Sequence, residues 1–236
     1  TRLWQVDVDG GGMVALTPED VTALNPTVSP DGVEVAFLAD HNGRRDVYLV
    51  SGEGGVPRRL TTNSGGTAVP RWSPNGAWIV LESSRGGSSD IWLVPVDGGE
   101  GRSLSTHSAR DVDPIWSPSG ELLAFTSTRT SGVPEVWLIA VADGSSRQLT
   151  MQGMAREPRW HPGGRELFFR ASGPSDNQEH IWRMPATGGN AEQVTDTGYN
   201  AGMDFSPDGE SMVYQSHGGA RLEVYVMSLA TGEVRR

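Results

Sequence analysis

The 236-residue chain contains no cysteine. Neither a disulfide framework nor a thiolate metal site can hold it together, so apolar burial and hydrogen bonding must. Long apolar runs are absent as well, and no window approaches the ~18 residues of a membrane-crossing helix. No membrane insertion is expected. Basic residues are few: 19 Lys and Arg stand against 29 Asp and Glu, for a formal net charge of −10. Phosphate backbones need clustered positive charge, so nucleic acid is not an expected partner. The acidic balance serves solubility. Thr1 is followed by neither a basic nor an apolar leader segment, which is uninformative because a targeting segment can be removed.

Recognised catalytic motifs are missing too. There is no Gly-x-Ser-x-Gly nucleophile elbow, no phosphate loop, no Gly-x-Gly-x-x-Gly and no His-Glu-x-x-His. Asp7-Val8-Asp9-Gly10 has the opening of a calcium loop without its later ligands, and it coincides with a recurring turn. The five histidines have no partner at metal-ligand spacing. No cofactor or metal is expected, and the chain reads as lacking catalytic machinery of its own.

What the chain has in quantity is turn residues, 31 Gly and 15 Pro. Ser29-Pro30-Asp31-Gly32, Ser73-Pro74-Asn75-Gly76, Ser117-Pro118-Ser119-Gly120, His161-Pro162-Gly163-Gly164 and Ser206-Pro207-Asp208-Gly209 recur at steps of 44, 44, 44 and 45 residues. Pro presets φ for the first central position of a tight turn, and Gly closes it. A second turn family, among it Asp9-Gly10-Gly11, Glu53-Gly54-Gly55 and Asp97-Gly98-Gly99, keeps the same rhythm and reads as hairpin loops.

Between the turns lie short apolar or alternating runs of strand length, four per repeat. Aromatics hold fixed places: Trp72, Trp116, Trp160 and Phe205 on the first strand, with Val28 the smaller exception. Trp4, Tyr48, Trp92, Trp137, Trp182 and Tyr225 fall on the third. Their regular recurrence points to packing between sheets. Four-stranded units repeated at this period predict an all-β propeller.

The run Pro70-Arg71-Trp72-Ser73-Pro74-Asn75-Gly76-Ala77-Trp78-Ile79-Val80, continued by Asp90-Ile91-Trp92 and Asp97-Gly98-Gly99, resembles the WD40-like (PD40) repeat of the TolB-like β-propeller superfamily. The resemblance covers essentially the whole chain. It implies a six-bladed type of propeller with four-stranded antiparallel blades. Five blades are complete, and residues 1–17 supply only the outer half of another. Successive repeats then occupy about 18–62, 63–106, 107–150, 151–196 and 197–236 of a single domain. Six repeats of 44 exceed the 236 residues present by 28. The chain is therefore expected to be a fragment or processed form, or to self-associate through its incomplete blade.

Function in repeat proteins tends to sit on loops. One loop face is expected to carry Asp40, His41, Arg85, Arg110, Asp111, Arg129, Tyr199 and His217 as binding residues, with Asp176 and Arg221 nearby. Arg85 and Arg129 also fit a recurring Ser-x-Arg pattern, which suits a structural role. The resemblance implies a non-catalytic scaffold for a protein or peptide partner in a bacterial periplasmic or extracellular setting. The alternative is a substrate-gating propeller within a larger prolyl-oligopeptidase-like or tricorn-like peptidase.

Overall fold

The computed structural model describes residues 1–236 apart from 42, 63–64, 66–68, 152, 174–177 and 218–220. Among the described residues the fold is all-β, with five four-stranded antiparallel sheets and one two-stranded sheet. It is a β-propeller. None of its elements is a helix that could cross a membrane.

The two-stranded sheet pairs β1 (Trp4–Gln5) with β2 (Val14–Ala15). Blade one holds β3 (Ala23–Val28), β4 (Glu34–His41), β5 (Arg44–Ser51) and β6 (Arg58–Arg59). Blade two holds β7 (Arg71–Trp72), β8 (Trp78–Ser83), β9 (Asp90–Pro95) and β10 (Arg102–Ser103). Blade three holds β11 (Asp111–Trp116), β12 (Leu122–Ser127), β13 (Glu135–Ala140) and β14 (Ser146–Gln148). Blade four holds β15 (Arg156–Trp160), β16 (Glu166–Ser172), β17 (Glu179–Pro185) and β18 (Glu192–Gln193). Blade five holds β19 (Tyr199–Phe205), β20 (Ser211–His217), β21 (Leu222–Ser228) and β22 (Val234–Arg235). In every sheet, neighbours in space are neighbours in sequence. The chain forms two compact units, Thr1–Pro114 and Ile115–Arg236.

The Ser-Pro turns join first to second strands as their chemistry requires. The Ser29 hydroxyl donates to Asp31 Oδ1 at 2.6 Å and accepts from Glu34 N–H at 2.9 Å. Gly32 sits at φ 76°, where a side chain is unfavourable. Blade four breaks the pattern with His161. Its Nδ1 accepts from Gly163 N–H at 3.1 Å, and its ring packs edge-on against Phe205 of blade five.

The second strands of blades one to four are largely buried on both faces, whereas in blade five Val213 and Gln215 on one face stay exposed. Ile79, Val80 and Leu81 are fully buried, as are Leu123, Ala124 and Phe125. In the first unit, Ala36 and Leu38 of blade one pack with Trp72, Ile79 and Leu81 of blade two. In the second, Leu138 and Ala124 pack with Trp160, Leu167 and Phe169. The first-strand tryptophans 72 and 160 thus lie between sheets, and the Trp72 indole N–H also donates to Thr27 O at 3.1 Å.

In blades one to four the outer two strands are closed by a hydroxyl clasp. Val47 N–H donates to Thr61 Oγ1, Ile91 N–H to Ser105 Oγ, Val136 N–H to Thr150 Oγ1 and Ile181 N–H to Thr195 Oγ1, all at 2.9 Å. Leu3 N–H makes the same bond to Thr17 Oγ1 at 3.1 Å. The β1–β2 pair is therefore a third and fourth strand in full repeat register.

Candidate functional site

Strain marks the first strands at one recurring position. Asn25, Asp113 and Glu157 have φ of 51°, 55° and 52°, and Gly202 has φ 44°. An L-residue in this left-handed region costs about 1–2 kcal/mol. The three non-glycine residues each precede proline (Pro26, Pro114, Pro158). Strand register shifts across the position in blades one, four and five. A side chain from the preceding blade holds two of these strained positions: Asp113 N–H donates to Glu82 Oε1 at 2.8 Å, and Glu157 N–H to Thr126 Oγ1 at 3.1 Å. Strained residues of this kind concentrate where a protein binds or reacts.

In the first unit the strained Asp113 sets its carboxylate close enough to Glu82 for the two charges to interact. Burial pushes the Glu82 pKa up, and the Asp113 charge adds to the rise. The Asp113 N–H bond and the Arg110 and Arg71 charges oppose it without reversing it.

In the second unit the corresponding position is occupied by Arg170, which is buried and gathers a denser group. Its guanidinium bonds Glu157 Oε1 at 2.5 Å, the Glu179 carboxylate, and the Tyr199 hydroxyl at 2.7 Å. Arg156 pairs with the other oxygen of Glu179. The Tyr199 ring lies 5.4 Å below the Arg170 guanidinium, remains 40 % exposed, and meets His217 edge-on at 6.3 Å. Just beneath, fully buried Asn200 donates to Thr197 O at 3.2 Å and Gly198 O at 3.1 Å, while its own carbonyl oxygen has no partner. This is a patch of mixed charge that includes an exposed aromatic residue.

Of the residues expected on the binding face, Tyr199 and His217 meet in this patch. Arg110 is exposed beside the Glu82 group. Asp111 is fully buried on the inner strand, and its N–H donates to Ser89 O at 2.8 Å. Arg85 and Arg129 instead lie over third-strand tryptophans, 4.2 Å from the Trp92 ring and 4.6 Å from the Trp137 ring, with each Nε donating to Ser83 or Ser127 Oγ at 3.0 Å. The Ser-x-Arg pattern is thus a packing device. Asp40 accepts from Gly43 N–H at 2.9 Å and shapes its own hairpin. Arg221 is exposed. The His41 side chain and Asp176 lie outside the described residues.

Sequence reasoning missed Arg156, Glu157, Arg170, Glu179 and Glu82. For Glu157 the signal available was a charged residue immediately before a first-strand proline, and for Glu82 and Arg170 a charge inside an otherwise largely apolar second strand. Among the described residues no group of three His, Asp or Glu is placed to hold a metal ion.

The family model for the TolB β-propeller domain (PD40) matches residues 1–236. The chain belongs to this family. Its fold is similar to the putative TolB of Agrobacterium tumefaciens, with a TM-score of 0.73 at 24% identity over 95% of this chain and 83% of that one. It is also similar to a Mycobacterium tuberculosis puromycin-hydrolyzing peptidase, with a TM-score of 0.79 at 17% identity over 99% of this chain and 41% of the peptidase. Identities this low show the fold alone. Among curated proteins, the Tricorn protease homolog 1 of Streptomyces coelicolor is 34% identical over 59 residues, 25% of this chain. That stretch spans only 6% of the homologue's length. TolB-type propellers thus stand beside peptidase propellers among the relatives of this TolB-family chain.

Proposed function

We propose that this TolB-like propeller is a non-catalytic binding module that holds a protein or peptide segment against the Arg170-centred patch of blades four and five. The observation that carries the reading is Tyr199, whose hydroxyl is tied to a buried arginine while its ring stays open to solvent. A side chain already fixed in place loses little entropy when a ligand packs on it. Arg156, Glu157 and His217 around it offer both signs of charge and a second ring, which suits polypeptide better than an anion or an apolar molecule. A periplasmic or extracellular setting is part of this reading and is taken from the TolB likeness.

The test is selection of peptide ligands on the wild-type protein, followed by titration against Tyr199→Ala. Affinity is expected to fall about tenfold or more, equivalent to ~1.4 kcal/mol. Unchanged affinity, or cleavage of the selected peptides, would overturn the reading.

The similarity to the puromycin-hydrolyzing peptidase and to the tricorn homologue favours a second reading, a propeller that gates access to a hydrolase domain. A Gly-x-Ser-x-Gly segment on the same polypeptide would decide for it. Self-association would use a different surface, the open edge of β1.

A further inference from the structure

In the second unit a pocket of about 620 Å³ opens between blades four and five, walled by Thr195, Asp196, Tyr214, Ser216 and Tyr225 among others. In the first unit a smaller pocket, of about 400 Å³, lies between blades one and two. The two occupy the same place in the repeat. Thr61 and Thr195 are the clasp hydroxyls of their blades, Trp92 and Tyr225 the third-strand aromatics, and Gly99 and Gly232 the hairpin glycines. They differ in what lies over the aromatic. Arg85 belongs to the wall of the first-unit pocket, its guanidinium 4.2 Å from the Trp92 ring and its Nε donating to Ser83 Oγ at 3.0 Å. Blade three repeats this arrangement with Arg129, Trp137 and Ser127. In blade five the serine and the aromatic are kept, as Ser216 and Tyr225, but the residue at the arginine's sequence position is Gly218.

We propose that the pocket between blades four and five binds a guanidinium group, stacked on Tyr225 and donating to Ser216 Oγ and the Asp196 carboxylate. The protein's own arginines define this chemistry. Arg129 lies over both Phe125 and Trp137, the cross-strand pair equivalent to Tyr214 and Tyr225. A planar guanidinium lies flat on a ring and donates from its edge at the same time, which a compact ammonium does less well. Tyr225 is set to receive it, because its hydroxyl donates to Glu223 Oε2 at 2.8 Å and Tyr214 stacks beside it at 5.7 Å.

Charge points the same way. Arg85 feels the negative charge of Asp46, whereas in blade four His180 takes the place of Asp46. The carboxylate is instead Asp196, which stands where the first-unit pocket has the neutral Thr62. The pocket without an arginine of its own is thus the one with an acid on its rim. Asp196 is exposed, and its charge reaches into the pocket: burial raises the Tyr214 pKa, and the Tyr225 and Asp196 charges add to the rise. Glu223 is already matched by Arg236 at 2.5 Å, which leaves Asp196 as the acid that meets an incoming cation. None of this rests on the Arg170-centred reading.

The probes are N-acetyl-Gly-Arg-Gly-amide, the same peptide with citrulline in place of arginine, and free arginine. Each is titrated into the intact chain, with NMR signals of the Thr195–Thr197 amides and the tyrosine rings as readout. The arginine peptide is expected to bind saturably and shift those signals, and the neutral citrulline peptide is expected not to. Tighter binding of the peptide than of free arginine identifies an arginine side chain of a polypeptide as the source, and the reverse order identifies a small guanidino compound. Asp196→Asn removes the charge at an exposed position and should weaken binding about threefold. Tyr225→Leu removes the ring and should weaken it about fivefold or more, with the circular dichroism spectrum retained. Equal binding of the citrulline peptide, or unchanged affinity in either variant, overturns the proposal. Tyr199→Ala should leave the titration unchanged. Loss of binding in that variant places the probe on the Arg170-centred patch and overturns this proposal while leaving that reading intact.

Discussion

The Thr61 hydroxyl accepts from the Val47 backbone N–H at 2.9 Å and donates to the Asp46 carboxylate at 3.0 Å. One side chain thus joins the third and fourth strands and helps satisfy a fully buried charge. Thr150 does the same between Val136 and Glu135. The clasp recurs wherever the sequence has a Leu-Thr, Leu-Ser or Val-Thr pair at the repeat spacing.

Thr150→Val should therefore cost about 1–3 kcal/mol, since it keeps the shape but leaves a buried N–H and carboxylate short of a partner. Thr150→Ser should be nearly neutral, because Ser105 fills the same role in blade two. Urea denaturation checks both, and equal stabilities for Val and Ser would refute the clasp.

The turn carboxylates Asp31 and Asp208 lie below the ordinary range because the Ser29 and Ser206 hydroxyls donate to them, helped by the Val33 and Glu210 N–H groups. A depressed folded pKa gives stability that is present above the unfolded value of ~3.9 and is lost as pH falls through the folded one. Asp208→Asn keeps an acceptor in the turn, as Asn75 does, but removes the titration. Stability measured from neutral to strongly acidic pH should fall less steeply for the variant. Parallel curves would count against this account.

Glu82 has the opposite sign. Its folded pKa is raised, so its contribution is fully present below the unfolded value of ~4.3 and is lost as pH rises through the folded one. Glu82→Gln retains an acceptor for the Asp113 N–H without the buried charge. The variant should match or exceed wild-type stability at neutral pH, and any advantage should vanish in acid. A deficit of equal size at both pH values would show that the hydrogen bond, not the charge, dominates.

His161→Ser restores the residue found in the other four Ser-Pro turns, yet it should destabilise by about 1–2 kcal/mol. The imidazole packs on Phe205 and Phe168, and its Nε2 lies 3.0 Å from Gly209 O, contacts that serine cannot reach. Thermal unfolding measures the difference, and a more stable variant would show that turn chemistry outweighs this contact.

The blades were legible because turn chemistry is local. Pro and Gly at fixed spacing act within four residues, and the aromatics repeat in phase with them. The half-blade was legible for the same reason, since Trp4 stands 44 residues before Tyr48. Arg85 and Arg129 show the limit of such reading: their Ser-x-Arg pattern was visible, but only the fold shows each guanidinium stacked on a tryptophan one strand away. Arg170 was less legible still. It falls inside an otherwise largely apolar second strand; the carboxylates that neutralise it lie 13 and 9 positions away, and the hydroxyl it also bonds lies 29 away.

The sequence by itself determined the four-stranded repeat, the turns and the phase of the incomplete blade, because each depends on backbone preferences and hydrophobic period. Tertiary structure alone decided which charged residues became buried partners and which stayed open. Ion pairing and burial depend on side chains that neighbouring sheets bring together, and no local spacing encodes that.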